Sequence, residues 1–218
     1  MAETADMLET ARAELKRRQG LGARYDADNA PARELDWARR GTAYFARKLN
    51  ELDDRALWRP SLVPGWSRRH VIACTAYHAR MLTRATETAR TGQTIPLYAS
   101  ESQRVEEIED GATLPAGALR HLVAHADVHL NVEWRDLTNE HWDITLPYGK
   151  PATARETAWM RAKQVWLRAI DLGNGASWRD LPLDFLTALL QEKLNITSID
   201  KAPHVLAKEV LLPSQDDY

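Results

Sequence analysis

Two pairs of side chains in this sequence have the types and spacing that chemistry uses. Cys74 and His78 stand four residues apart, so on a helix they share one face a single turn apart. A thiol beside an imidazole is one way of making an activated nucleophile. The same spacing also suits a small buried thiol one turn from a satisfied core histidine. Gln164 and Arg168 repeat the four-residue step among Trp159, Val165, Trp166 and Ile170. An arginine in apolar surroundings pairs with a carboxylate, belonging either to the protein, as in a helix cap or interhelical salt bridge, or to a ligand. His121, His125 and His129 form a third series at the spacing of paired metal ligands, a spacing that surface stripes also show. Arg104, by its local context alone, reads as a solvated loop residue after the helix that carries Cys74.

The elements that must position these residues are long helices. Ala2, Ala5, Leu8, Ala11 and Leu15 recur at three- and four-residue steps over 1–20, and Gly20 stops that helix. Residues 23–30 read as a polar linker. Leu35, Ala38, Tyr44, Phe45, Leu49 and Leu52 mark one face of a helix over 33–52. Pro60 and Pro64-Gly65 break the chain, and Ser67 caps a helix running to about Arg90. A short helical turn over 102–109, ended by Gly111, precedes a helix from Pro115 to Leu137 with Leu119, Leu122, Ala126, Leu130 and Trp134 facing inward. The alternation over Trp142–Leu146, followed by Pro147-Tyr148-Gly149, predicts a small hairpin. Helices over 153–172, closed by Gly173, and 182–194 follow, and the last twenty-odd residues read as a tail. Amphipathic helices joined by Pro/Gly breaks give an all-α bundle, a class that builds its sites between facing helices.

Composition narrows the function. The chain has 218 residues and 29 Lys+Arg against 31 Asp+Glu. A net charge of −2 supplies no basic field for a phosphate backbone, so nucleic acid is not an expected partner. No apolar run approaches the ~20 residues of a membrane span, and the first residues show no basic and apolar leader, which reads as a cytoplasmic protein. A single cysteine excludes an internal disulfide and an all-cysteine zinc site.

Three stretches in order, Gly65-Trp-Ser-Arg-Arg-His-Val-Ile-Ala-Cys-Thr-Ala-Tyr-His78, Tyr98-Ala-Ser-Glu-Ser-Gln-Arg-Val-Glu-Glu-Ile108 and Glu156-Thr-Ala-Trp-Met-Arg-Ala-Lys-Gln-Val-Trp-Leu-Arg-Ala-Ile-Asp-Leu-Gly173, resemble the mycothiol-dependent maleylpyruvate isomerase family. The resemblance spans about Glu34 to Leu194. It implies a DinB-like four-helix bundle with a small β-hairpin and extra terminal helices, organised as an N-terminal extension (1–30), the bundle (31–195) and a C-terminal tail (196–218). In that family a divalent metal, usually zinc, is held by one histidine on the second bundle helix and by a glutamate or histidine with a histidine four residues later on the fourth. Those positions fall on Cys74, Gln164 and Arg168. Cysteine can ligate, but glutamine is a weak neutral ligand and arginine a fixed cation, so no metal is expected there. Relatives also carry a C-terminal α/β extension at the thiol-cofactor pocket, where this sequence has only the residues after Leu194. Neither zinc nor mycothiol is therefore an expected cofactor. The family arginine near the substrate entrance matches Arg104.

With these substitutions the resemblance implies a metal-independent enzyme of isomerase or related lyase/cyclase type acting on a small unsaturated carboxylate. Cys74, His78, Gln164 and Arg168 are its catalytic candidates, and Arg104 and Arg168 its substrate-binding ones. The alternatives are a non-catalytic protein of the same fold that binds a small ligand or a partner, and a mycothiol-dependent isomerase or thiol transferase. Oligomeric state is not legible in the sequence.

Overall fold

The computed structural model describes residues 25–98, 100–147 and 152–194, with positions 7 and 10. The helix expected over 1–20, the turn residues Tyr148 and Gly149 and the tail after Leu194 lie outside the described residues. Six helices carry the architecture of that described part: α1 (Ala32–Asn50), α2 (Arg68–Thr91), α3 (Glu101–Thr113), α4 (Ala116–Asp136), α5 (Glu156–Asp171) and α6 (Leu183–Leu194). A two-stranded antiparallel hairpin, β1 (Thr145–Leu146) and β2 (Ala152–Thr153), joins α4 to α5, with Thr145 opposite Thr153 and Leu146 opposite Ala152. No helix among the described residues is long and apolar enough to cross a membrane.

The bundle consists of α1 packed on α5 and α2 packed on α4, the two pairs meeting where α2 faces α5. The periodicity of α1 explains its place: Leu35, Ala38, Phe45 and Leu49 are buried along one stripe. Gly41 lets that stripe close on α5, because a Cβ there would lie 2.5 Å from Val165 Cγ2 and 2.8 Å from Trp166 Nε1. Trp37 fills the end of this interface against Trp159 and Phe185, its indole N–H donating to Asp184 Oδ2 at 3.0 Å, so its polar edge is satisfied.

Helix α2 starts at Ser67, in extended conformation, with a reciprocal cap between Ser67 and His70, and stops at Gly92 in the left-handed region (φ 71°). Arg68 then ties this start to the end of α5, its guanidinium donating to the carbonyls of Leu172 and Gly173, each at 2.7 Å. The loop before α2 is fastened to the same place, since Leu62 N–H donates to the Asp171 carbonyl at 2.8 Å.

Three expectations need correction. Residues 102–109 are no mere turn but part of the 13-residue helix α3, opened by Ser100 Oγ accepting from Gln103 N–H, and Arg104 therefore stands on a helix rather than in a loop. Gly111 lies inside α3 and does not end it. Its missing Cβ accommodates Tyr77, whose Cε2 would be 2.6 Å from that atom, so the glycine serves helix approach and Pro115 marks the actual break. Trp142, itself buried, belongs to a 3-10 turn (His141–Asp143) ahead of the hairpin, and the paired strands are two residues each.

Candidate active site

Cys74 and His78 project from the middle of α2, and Gln164 and Arg168 from α5. Cys74 is buried. The structure brings it to Gln164, whose side-chain amide donates to Cys74 Sγ with Nε2 at 3.4 Å. Arg168, one turn further along α5, is also buried, and its Nη1 donates to Asp171 Oδ2 at 2.6 Å. The arginine thus has a carboxylate partner within its own helix. Its guanidinium lies over the Trp66 ring, 5.7 Å from the centroid, and Trp66 in turn stacks on His70. Burial pushes the Asp171 carboxyl above the usual range, and Arg168 pulls it back only in part.

His78 Nδ1 is buried without a hydrogen-bond partner. No hydrogen bond joins it to Cys74 among the described residues, so the thiol's polar contact is Gln164 rather than the imidazole. Burial, then the positive charges of Arg161, Arg168, Lys163 and Arg104, hold His78 well below the usual histidine range, which keeps the ring neutral. Arg104, on α3, contributes the last and smallest of these charges.

Two further residues belong to this neighbourhood. The Tyr98 hydroxyl is pushed up to about 12, first by burial and then by Glu107 and Cys74, with Arg104 opposing. Tyr98 opens the sequence stretch that contains Arg104, and that shared stretch was the signal for it. Arg161 is almost fully buried; Nη1 donates to the Thr75 carbonyl at 2.7 Å and Nη2 pairs with Asp127, so one side chain fastens α5 to both α2 and α4. Its spacing from Gln164 and Arg168, three and seven residues, was the available sign that it faces inward.

As a donor set for the zinc that the family resemblance implies, these side chains fit poorly. Gln164 offers the thiol an N–H and Arg168 is an always-charged guanidinium engaged with Asp171. Among the described residues no group of three or more His, Cys, Asp and Glu side chains has metal-holding geometry. What the arrangement offers instead is a thiol, a neutral imidazole with an open nitrogen, and cations, a set suited to nucleophilic addition on an anionic substrate.

A mostly helical bundle with this hairpin and with its candidate site between α2 and α5 is a DinB-like fold. The family model described as the mycothiol maleylpyruvate isomerase N-terminal domain matches residues 38–173, and the chain belongs to that family, one of isomerase-type enzymes. The crystal structure of the mycothiol-dependent maleylpyruvate isomerase is 38% identical in sequence, with a TM-score of 0.72, and the match covers 76% of this chain and 70% of that one. The structure of a variant of that enzyme with one histidine replaced by alanine matches to the same extent. No curated protein sequence matches the chain.

Proposed function

We propose that this family member isomerises a small unsaturated carboxylate without a metal, using Cys74 as its nucleophile and Arg168, with Arg104, as its anion-binding groups. The observation that carries this reading is the meeting of Cys74 and Gln164 at 3.4 Å across the α2–α5 interface, with Arg168 one turn away. The Cys74 sulfur adds to a double bond conjugated with a carbonyl. A carbon–sulfur bond forms, the π pair moves to the carbonyl oxygen, and the thiol proton passes to His78. Arg168 stabilises the enolate charge. The former double bond is now single and rotates. The enolate pair then re-forms it and expels the sulfur, which recovers its proton from His78, so no atom or electron is gained or lost. Burial first and the surrounding cations second keep His78 neutral, and an anionic substrate offsets the cations' field, so the ring gains basicity as substrate binds.

A second reading is favoured by the 38% identity to a mycothiol-dependent enzyme: the thiol that adds to the substrate is mycothiol and Cys74 only lines the pocket. One assay separates the two. Turnover of maleylpyruvate by the full chain is followed with and without mycothiol, in the presence of a strong chelator, for wild type and Cys74→Ser. The proposal expects turnover in chelator without added thiol, lost in Cys74→Ser. A requirement for mycothiol with an active Cys74→Ser supports the second reading, a requirement for metal overturns the metal-independent one, and binding without turnover marks a ligand-binding protein.

A further inference from the structure

The three histidines of α4 take no part in this site. His121, His125 and His129 are exposed. With Arg80, Arg84 and Glu87 of α2 they line a groove of about 1050 Å³. We infer that His125 and His129 chelate a divalent cation of borderline softness, such as zinc, in this groove.

Residues four apart on a helix present both imidazoles to one point, the arrangement by which helical histidine pairs bind zinc. A metal about 2.0–2.1 Å from one nitrogen of each ring, in tetrahedral geometry, sets the two ring centroids roughly 5 Å apart. The His125 and His129 rings lie 6.1 Å apart, edge to face at 66°. Closing the pair on an ion brings the exposed rings about 1 Å nearer by side-chain rotation.

His129 has the support a ligand needs. Its Nε2 faces Glu133 Oε1 at 3.7 Å, and buried Glu133 is itself held by Arg90 Nε at 3.0 Å. A carboxylate that accepts the N–H of a ligating imidazole fixes the ring and raises its basicity, and the same ring rotation that closes the pair has to shorten this 3.7 Å separation to a hydrogen bond, leaving Nδ1 to the metal. His121 has equal spacing to His125, but the residue one turn beyond His125 is His129, so the 121/125 pair has no such carboxylate. Of the two arginines that line the groove, Arg84 is held by its bond to the Leu97 carbonyl at 2.5 Å and Arg80 lies over the Tyr77 ring, 5.7 Å from its centroid. Because no third protein donor converges on the pair among the described residues, the chelate is bidentate and its remaining positions go to water or an exogenous ligand.

The test is a titration of the full chain with zinc alone, read by calorimetry and by the imidazole resonances in NMR. Wild type should bind one equivalent, with the His125 and His129 resonances shifting. His125→Ala and His129→Ala should each abolish the binding, and His121→Ala should leave it intact. Glu133→Gln keeps both imidazoles and should weaken binding about 10–100-fold. Cys74→Ser should leave the isotherm unchanged, which separates this site from the bundle pocket. No binding by wild type, binding that survives His125→Ala, equal losses in His121→Ala and His129→Ala, an unaffected Glu133→Gln, or loss in Cys74→Ser would each overturn the inference.

Discussion

Replacing Arg168 by methionine tests how far the pocket depends on the pair it forms with Asp171. The methionine keeps much of the apolar stem and removes the charge. Breaking a buried ion pair by deleting one partner costs about 3–5 kcal/mol, since the other charge stays behind uncompensated. Asp171 retains 18% of its side-chain exposure, against 7% for Arg168, so part of that cost is relieved by water and about 2–3 kcal/mol is expected at neutral pH. For a chain of this size that is a fall of roughly 4–12 °C in Tm.

The pH dependence gives the sharper signature. The Asp171 carboxyl is already raised above its ordinary value in the folded protein. A carboxyl raised on folding binds protons more readily in the native state, so it costs stability above its folded value and that cost disappears as pH falls below its unfolded one. Without Arg168 the carboxyl rises further. The loss in Arg168→Met should therefore be greatest at neutral pH and shrink to under about 1 kcal/mol near pH 4. Arg168→Met/Asp171→Asn should recover most of the stability and abolish the pH dependence. Urea unfolding at several pH values supplies the measurement. A loss that does not vary with pH, or that persists unchanged in the double variant, would refute the reasoning.

Arg168→Lys keeps the charge but loses the planar fork, and should weaken binding of a small carboxylate by roughly one to two powers of ten, corresponding to about 1.5–3 kcal/mol, as measured by calorimetry. His78 is held neutral in the fold, so the unfolded chain takes up the extra proton and native stability falls as pH drops below about 6.5; His78→Gln should remove that slope between pH 5 and 7 in denaturant titrations. Gly41→Ala places a Cβ against Val165 and the Trp166 indole and should destabilise the protein by about 1–3 kcal/mol in the same experiment, with α1 displaced from α5.

The helices were legible in the sequence because their apolar stripes recur at the helical period and their ends carry proline, glycine or serine. Periodicity failed where a residue's type had two uses. Gly111 reads as a stop signal, yet it is the contact point for Tyr77, and only the approach of α3 to α2 reveals that. The pairing of Cys74 with His78 follows from a four-residue step, but the thiol's hydrogen-bond partner comes from another helix, ninety residues on. Local spacing shows which side chains share a face; it carries no information on which face lies opposite. Arg161 was missed for the same reason, as its partners Thr75 and Asp127 are 86 and 34 residues away.

That buried arginine bears on how the bundle assembles. Its guanidinium gives up water for one main-chain carbonyl on α2 and one carboxylate on α4, while its own backbone belongs to α5. Docking α5 on α2 without α4 leaves the cation without its carboxylate, and docking α4 on α2 without α5 leaves Asp127 without its cation; a half-satisfied buried charge is worse than a solvated one. Partly assembled bundles are thereby penalised at a single point. The three helices are pressed toward docking and parting together, and the unfolding transition should be correspondingly cooperative.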